Sequence, residues 1–99
     1  MSVTIINGGT QGLGEQVART LAERGGSSGL VLAGRSAERG ASLADELTAD
    51  GTPTIFVEAD MGDAAAPERI VAACADRFGT VNGLVNVGIV ANNHSGLAT

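Results

Sequence analysis

Four short runs of aliphatic residues alternate along this chain with three segments whose apolar residues recur at helical spacing. The runs cover residues 3–6, 30–33, 54–57 and 84–87. A continuous apolar run of this length, bounded by turn-forming residues, is typical of a strand that is buried on both faces. Strands that alternate with amphipathic helices indicate a parallel sheet with helices packed against both sides. This alternation limits the possible folds more than any other feature of the sequence.

Turn and capping signals give the expected helix boundaries. The predicted limits are about Gly12 to Arg24 for the first helix, the Ser36 cap to Gly51 for the second, and the Asp63 cap to Gly79 for the third. Residues 25–29, rich in glycine and serine, are expected to form the break after the first helix. With right-handed crossovers, the β-α-β-α-β-α-β order predicts an α/β, Rossmann-like doubly wound parallel sheet of strand order 3-2-1-4. We treat residues 1–99 as one partial domain of this class.

The apolar faces of the three helices give the expected core. The residues predicted to face the sheet are Leu13, Val17, Ala18, Leu21 and Ala22 in the first helix, Leu43, Ala44 and Leu47 in the second, and Ile70, Val71, Cys74 and Phe78 in the third. Pro67 suits the first turn of the third helix, where a backbone N–H is not needed. The sequence has two Phe and no Tyr or Trp, so aliphatic side chains must fill this core.

Charge and composition exclude several classes of protein. The net charge is −5 and all six cationic side chains are Arg, so the chain lacks the basic patch that nucleic-acid binding requires. No apolar stretch reaches the roughly 18 residues of a membrane span, and the first residues lack the basic region of a signal peptide. The single cysteine, Cys74, cannot form an internal disulfide, which favours a reducing, cytoplasmic location. We expect no metal site.

The segment 7–14, Asn-Gly-Gly-Thr-Gln-Gly-Leu-Gly, connects the first strand to the first helix. Unpaired N–H groups and a partial positive charge at a helix N-terminus favour a phosphate. Gly8 and Gly12 would let the chain turn and a diphosphate approach, and Gly14 would let the helix pack close to the sheet. The alternative is an ordinary turn, but the strand–loop–helix context favours phosphate binding. The segment lacks the Lys-Ser/Thr end of a P-loop, so nucleoside-triphosphate hydrolysis is not expected.

The end of the second strand indicates which dinucleotide the chain prefers. In a dinucleotide-binding fold, an acidic residue here binds the ribose 2′-hydroxyl of NAD, whereas an Arg accepts the 2′-phosphate of NADP. The chain reads Ala33-Gly34-Arg35-Ser36 and has no carboxylate at this place. Arg35 can hold a phosphate with two N–H groups, and Ser36 can add a hydroxyl donor. We expect NADP(H) rather than NAD(H); the alternative is that Arg35 is a solvated side chain at a helix start.

Four motifs, in order along the chain, resemble those of the short-chain dehydrogenase/reductase family. They are the glycine motif of Gly8, Gly12 and Gly14, the NADP-preferring strand end at 33–35, the segment 58–61 after the third strand, and the fourth-strand motif at 83–89. The resemblance covers residues 3–89 and leaves 90–99 as an irregular tail. It implies an oxidoreductase that transfers hydride between NADP(H) and a carbonyl or alcohol substrate.

The resemblance also implies a set of cofactor-binding residues. They are Gly8, Thr10, Gln11, Gly12, Leu13 and Gly14 in the glycine loop, Arg35 and Ser36 after the second strand, Asp60 and Met61 after the third, and Asn86 and Gly88 at the fourth. The Asp60 carboxylate and the next N–H would contact the adenine, although a carboxylate after a strand is often a helix cap or solvated. Asn86 would orient the loop near the nicotinamide ribose through hydrogen bonds, or would simply satisfy the hydrogen-bonding groups at the end of the strand.

Two departures from the family pattern limit the chemistry. The fourth-strand motif, at 86–88, is one residue short. The family's catalytic Ser, Tyr and Lys, the last two spaced Tyr-x-x-x-Lys, cannot be matched, because the sequence contains no Tyr and no Lys. We therefore expect no catalytic residue: the chain would be an N-terminal, cofactor-binding fragment, inactive alone, whose substrate binds only to a full-length parent. The alternative is a stand-alone, non-catalytic NADP(H)-binding or regulatory module.

A sheet of four strands would leave the fourth strand as an apolar edge. Unpaired N–H and C=O groups at a sheet edge favour pairing with another chain. We therefore expect self-association through the fourth strand, or marginal stability.

Overall fold

The first strand lies inside the sheet, between the second and the fourth. The computed structural model of the protein describes residues 2–8, 12–25, 27–60 and 62–86. Its strands are β1 (Ser2–Asn7), β2 (Ser27–Gly34), β3 (Thr54–Glu58) and β4 (Gly83–Asn86), and its helices are α1 (Gly12–Arg24), α2 (Ala37–Ala49) and α3 (Ala66–Phe78). Neighbouring strands are parallel, in the order β3-β2-β1-β4. The predicted fold class and strand order are confirmed.

Alternate residues of the strands point to opposite faces of the sheet and build two cores. On one face, Ile70 and Cys74 of α3 pack in one cluster with Ile5 and Val31. On the other face, α1 and α2 cover the sheet, and the buried residues there are Ile6, Ala18, Leu30, Leu32, Leu43, Ala44 and Leu47. Full burial of one aliphatic side chain of this size contributes about 1.5–3 kcal/mol. Helices on both faces of a parallel sheet explain why the strands are continuous apolar runs.

Two residues predicted to face the sheet are instead exposed. Leu13 is 68% exposed and Val71 is 50% exposed. Leu13 precedes the buried Gly14 by one residue, and Val71 follows the buried Ile70 by one residue, so each is turned about 100° away from its buried neighbour. The prediction was wrong at both positions because an apolar residue adjacent in sequence to a buried helix position points away from the buried face.

The second strand begins earlier than predicted, because residues 27–29 are part of β2 rather than of a break. Gly29 pairs with Val3 of β1. A Cβ atom at Gly29 would lie 2.6 Å from Cζ of Phe78. This glycine therefore lets a strand and the end of α3 approach closely, a role that is hard to distinguish from a turn in the sequence.

Asp63 was predicted to cap the third helix, and this prediction was wrong. The N-cap of α3 is Ala65, which makes no side-chain capping bond. The Asp63 carboxylate Oδ1 instead accepts the N–H of Ala65 at 2.9 Å, within a turn that precedes the helix. Pro67 lies in the first turn of α3, as predicted.

The other predicted helix ends are confirmed. The Ser36 hydroxyl accepts the Arg39 N–H at the start of α2. Gly51, with φ 111°, follows the end of α2, and Gly79, with φ 82°, ends α3 in the left-handed conformation that glycine adopts without strain.

In the described part of the chain each helix has 13 residues, and none has the length and apolar character of a bilayer span.

A glycine in α2 provides a test of this packing. A Cβ atom at Gly40 would lie 2.6 Å from Cγ of Phe56 on β3. Ala is a better helix former than Gly by about 1 kcal/mol, but overpacking costs about 1–3 kcal/mol. We expect Gly40→Ala to lower the free energy of unfolding by about 1 kcal/mol in urea denaturation. The exposed Ser42→Ala, in the same helix, is the control, expected within about 0.5 kcal/mol of the unmodified protein; a Gly40→Ala variant at least as stable as the unmodified protein would contradict this packing.

Candidate functional site

The carboxyl ends of β1, β2 and β3 lie side by side at one end of the sheet, which we call the carboxyl edge. Two main-chain hydrogen bonds extend the pairing past the strands: Gly8 N–H donates to the Ala33 carbonyl at 2.7 Å, and Ala59 N–H donates to the Gly34 carbonyl at 2.8 Å. The segments that follow the three strands therefore lie side by side. This edge brings together the glycine loop, Arg35 and Asp60, which come from three separate motifs of the sequence. In open parallel sheets, ligands bind outside the carboxyl ends of the strands.

Two glycines lie at the two ends of the loop between β1 and α1. Gly8 has φ 82° and Gly12 has φ 60°, a backbone conformation that side chains with a Cβ rarely adopt. A Cβ atom built on Gly12 meets no heavy atom within 4 Å. Glycine is therefore required at this position for the backbone angle, and space is open above the start of the helix. Thr10 and Gln11, also predicted to bind the cofactor, lie outside the described residues.

The first turn of α1 faces this open space. The N–H groups of the first four residues of a helix have no partner within the helix, and the helix dipole adds a partial positive charge. Gly14 is buried in this turn, as expected for close packing on the sheet. Gly12 and Leu13, the first two residues of the helix, are exposed. The arrangement suits an anion such as a diphosphate.

Arg35 stands immediately after β2 and is exposed. Its guanidinium makes no hydrogen bond or ion pair with any other described residue. Three other Arg side chains are engaged: Arg19 and Arg69 form ion pairs, and Arg77 lies over the Phe78 ring at 4.9 Å. Arg35 is thus a cation at the sheet edge that is available to a ligand. Ser36 follows it and already uses its hydroxyl oxygen, at 3.4 Å, to cap α2.

Asp60 follows β3 and is exposed. Its carboxylate Oδ1 accepts the N–H of Gly62 at 2.9 Å, and its carbonyl accepts the N–H of Asp63 at 2.9 Å. The side chain is therefore held in a local turn. Met61, predicted to add its N–H to an adenine contact, lies outside the described residues.

Arg69, which the sequence analysis did not single out, ties this turn to β3. One guanidinium N–H, on Nη2, donates to the Glu58 carbonyl at 3.2 Å, and Nη1 lies 3.7 Å from Oδ2 of Asp63. The contact joins the first turn of α3 to the end of β3. Its only signal in the sequence is the acidic residue six positions earlier, which is too general to identify such a contact.

A second set of charged residues that the sequence analysis did not use links α1 to α2. Arg19 Nε donates to Oε2 of Glu15 at 2.9 Å, and Nη1 donates to Oε2 of Glu46 at 2.6 Å. The hydrogen bonds to Glu46 and then Glu15 raise the pKa of the Arg19 guanidinium, and the same Arg19 bond lowers the pKa of the Glu46 carboxyl. The Glu15–Arg19 pair has the i, i+4 spacing of helix ion pairs, so it was visible in the sequence.

The fourth strand, β4, also ends at the carboxyl edge of the sheet. Asn86 ends β4 and pairs with Asn7 of β1; its side chain, and Gly88, lie outside the described residues. Asn82, just before β4, accepts the Val3 N–H on Oδ1 at 2.9 Å and donates its own N–H to the Val3 carbonyl at 2.8 Å. These bonds fix the register in which β4 joins the sheet.

The described residues offer no metal centre and no activated thiol. No three His, Cys, Asp or Glu side chains converge among them. Cys74 lies on the buried face of α3, and its thiol donates a hydrogen bond to the Thr80 carbonyl at 3.4 Å. Burial raises the pKa of this thiol, which makes it a poor nucleophile. Cys74 is a core residue, in agreement with its predicted place on the apolar face of the third helix.

Comparison with protein families gives one match across almost the whole chain. The family model for short chain dehydrogenases matches residues 2–97. L-rhamnose 1-dehydrogenase (NAD(P)(+)) of Azotobacter vinelandii is 36% identical over 93 residues, which cover 92% of this chain and 36% of that protein. Versicolorin reductase 1 of Aspergillus parasiticus is 31% identical over 93 residues, covering 93% of this chain and 35% of that protein. The chain thus spans little more than a third of the length of these relatives.

Solved structures agree with the sequence matches. An alcohol dehydrogenase from the archaeon Thermococcus sibiricus, complexed with 5-hydroxy-NADP, is 34% identical with a TM-score of 0.77, over 85% of this chain and 35% of that one. A short chain dehydrogenase/reductase from Burkholderia phymatum, in complex with NAD, is 30% identical with a TM-score of 0.77, over 84% of this chain and 29% of that one. The two similar structures therefore hold different nicotinamide cofactors on the same fold.

Proposed function

Because the chain belongs to the short-chain dehydrogenase/reductase family, we propose that it binds a nicotinamide dinucleotide at the carboxyl edge of its sheet and prefers NADP(H) to NAD(H). Gly12, Leu13 and Gly14 would hold the diphosphate through backbone N–H groups. Gly8, whose own N–H is bonded to the Ala33 carbonyl, would let the backbone turn close to the diphosphate. The support is the open space above Gly12 and the exposure of Gly12 and Leu13 at the start of α1. The described residues therefore fit the group: donors and positive charge meet an anionic diphosphate, and a Cβ atom built on Gly12 meets no heavy atom within 4 Å.

The preference for NADP(H) depends on one observation: the guanidinium of Arg35, at the end of β2, has no hydrogen bond or ion pair with another described residue. An Arg at this place can accept a 2′-phosphate, whereas selection of NAD needs a carboxylate that residues 33–36 do not contain. Ser36 would add its hydroxyl as a donor, which it can do while its oxygen caps α2, because a hydroxyl both donates and accepts. The relatives do not decide this preference, since they include proteins solved with either cofactor.

The remaining cofactor contacts are proposals that the resemblance supports. Asp60 would accept from the adenine amino group, after exchange or sharing of its local bond to Gly62. Thr10, Gln11, Met61, Asn86 and Gly88 would contribute at the phosphate, adenine and nicotinamide-ribose positions that the resemblance gives them.

We further propose that these 99 residues are the cofactor-binding part of a longer oxidoreductase that interconverts a carbonyl and an alcohol. The bound cofactor supplies the hydride in such chemistry, and the protein supplies position and a proton. The residues of this chain hold and orient the cofactor. The sequence has no Tyr or Lys to move the proton at the substrate oxygen. Proton transfer would therefore come from residues beyond these 99.

We place the protein in the cytoplasm. Cys74, the single cysteine of the sequence, is a free thiol buried in the core. A free buried thiol suits a reducing compartment.

Self-association through β4 also belongs to this proposal. β4 lies at one border of the sheet, and its four residues carry no charged side chain. Leu84 is 58% exposed and Val81 is 38% exposed. An apolar edge without charged residues favours pairing with the same edge of a second copy, which sedimentation velocity would measure.

The first test of the cofactor preference is the substitution Arg35→Ala. Charged hydrogen bonds to a phosphate are worth about 1.5–3 kcal/mol, so we expect the Kd for NADPH to rise at least about tenfold. The Kd for NADH, which lacks the 2′-phosphate, should change less than about twofold. Arg24→Ala, at the opposite end of α1, is the matched control and should change neither Kd. Equal losses for NADPH and NADH, or no loss with Arg35→Ala, would contradict the proposed role.

The second test concerns turnover. The purified 99-residue polypeptide should bind NADPH yet show no protein-dependent NADPH oxidation with a panel of aldehydes, ketones and ketoacyl thioesters. The physical reason is the missing proton donor, not a missing cofactor site. A full-length short-chain dehydrogenase assayed in parallel serves as the positive control. A reproducible rate above the uncatalysed background would show that the chain carries its own catalytic groups and would defeat this part of the proposal.

A further inference from the structure

A carboxylate lies in the first turn of the helix that we propose holds the diphosphate. Glu15 is three residues beyond Gly12, which begins α1, and a helix rises about 4.5 Å over three residues. A negative charge here stabilises the helix itself through the dipole. The same charge would repel a diphosphate bound at this helix end. The sequence therefore places an acid where an anionic ligand is expected to bind.

The structure shows how this charge is engaged. Arg19 lies one turn further along α1. Its Nη2 is 2.8 Å from Oε2 of Glu15, and its Nε donates a hydrogen bond to the same oxygen at 2.9 Å. Both side chains are about one third exposed, at 35% for Glu15 and 34% for Arg19. The guanidinium meets the Glu15 carboxylate on the side of α1 that faces α2, because Arg19 also contacts Glu46 of α2. Glu15 is thereby paired and drawn towards the neighbouring helix.

We propose that Arg19 is a positioning residue for cofactor binding, which pairs with Glu15 and holds its carboxylate away from the diphosphate. This inference rests on the proposed function. An ion pair between partly exposed side chains adds little to the stability of the fold. Stabilising the contact between α1 and α2 therefore does not explain well why Arg19 pairs with Glu15. The effect of this pair on a nearby anionic ligand is direct, because an unpaired Glu15 would compete for the same positive helix end that attracts the phosphates.

Charge-matched variants separate this role from a merely structural one. Arg19→Gln leaves Glu15 unpaired and should raise the Kd for NADPH about two- to fivefold, the range of charge effects at a helix end. Adding Glu15→Gln should restore the Kd, because the repelling charge is gone. Adding Glu46→Gln instead gives the same net charge but leaves Glu15 unpaired, and should not restore it. Glu46→Gln alone breaks the bridge between the helices while Glu15 keeps Arg19, and should change the Kd less than about twofold.

The Kd values are measured by the fluorescence of NADPH in titrations at low ionic strength, with thermal melts to confirm that each variant is folded. The inference is overturned if the unmodified protein binds NADPH and Arg19→Gln binds it equally well, or if both double variants recover equally. If the unmodified protein does not bind NADPH at all, the proposed function fails, and this inference with it.

Glu15→Gln alone keeps the inference testable if Arg19→Gln does not fold. Since Arg19 already holds the Glu15 carboxylate in an ion pair in the unmodified protein, this variant should bind NADPH within about twofold of the unmodified protein. A tightening well beyond twofold would show that the Glu15 charge still reaches the ligand, and would overturn the inference.

Discussion

The hydrogen bond from Gly8 N–H to the Ala33 carbonyl, 2.7 Å long, is the contact on which the candidate site depends. It continues the pairing of β1 with β2 one step beyond the strands. Gly8, where the glycine loop begins, therefore lies beside the end of β2, the strand that Arg35 directly follows. The matching bond from Ala59 N–H to the Gly34 carbonyl adds the segment that carries Asp60. Parallel pairing thus assembles in space what the sequence separates by more than 50 residues between Gly8 and Asp60.

The fold and the sheet edge could be predicted from the sequence, because both follow from local patterns. Apolar runs and turn residues predicted all seven elements, the four strands and the three helices. The first helix was predicted from about Gly12 to Arg24, which are the bounds of α1. Errors occurred where local pattern and packing disagree. Gly29 was interpreted as part of a break, although it lies in β2 and makes room for Phe78. Leu13 fits the apolar spacing of α1 but is exposed, next to the buried Gly14.

The charge contacts around the site were harder to predict, because their partners are distant in sequence. Arg19 and Glu46 are 27 residues apart and meet only because α1 and α2 cover the same face of the sheet. Arg69 reaches back 11 residues to the Glu58 carbonyl, a main-chain group that leaves no mark in the sequence. By contrast, the position of Arg35 could be predicted, because it directly follows β2. These three arginines differ in what surrounds them: two have partners within the described residues, and one does not.

The most direct test of the central claim is an NMR titration of the 15N-labelled protein with NADPH. If the start of α1 holds the diphosphate, the amide signals of Gly12, Leu13 and Gly14 should shift most. The amides of Gly25 and Gly51, which follow the C-terminal ends of α1 and α2 at the opposite edge of the sheet, should stay unchanged. Unchanged signals at the start of α1 when the ligand binds, or shifts confined to the opposite edge, would contradict the account.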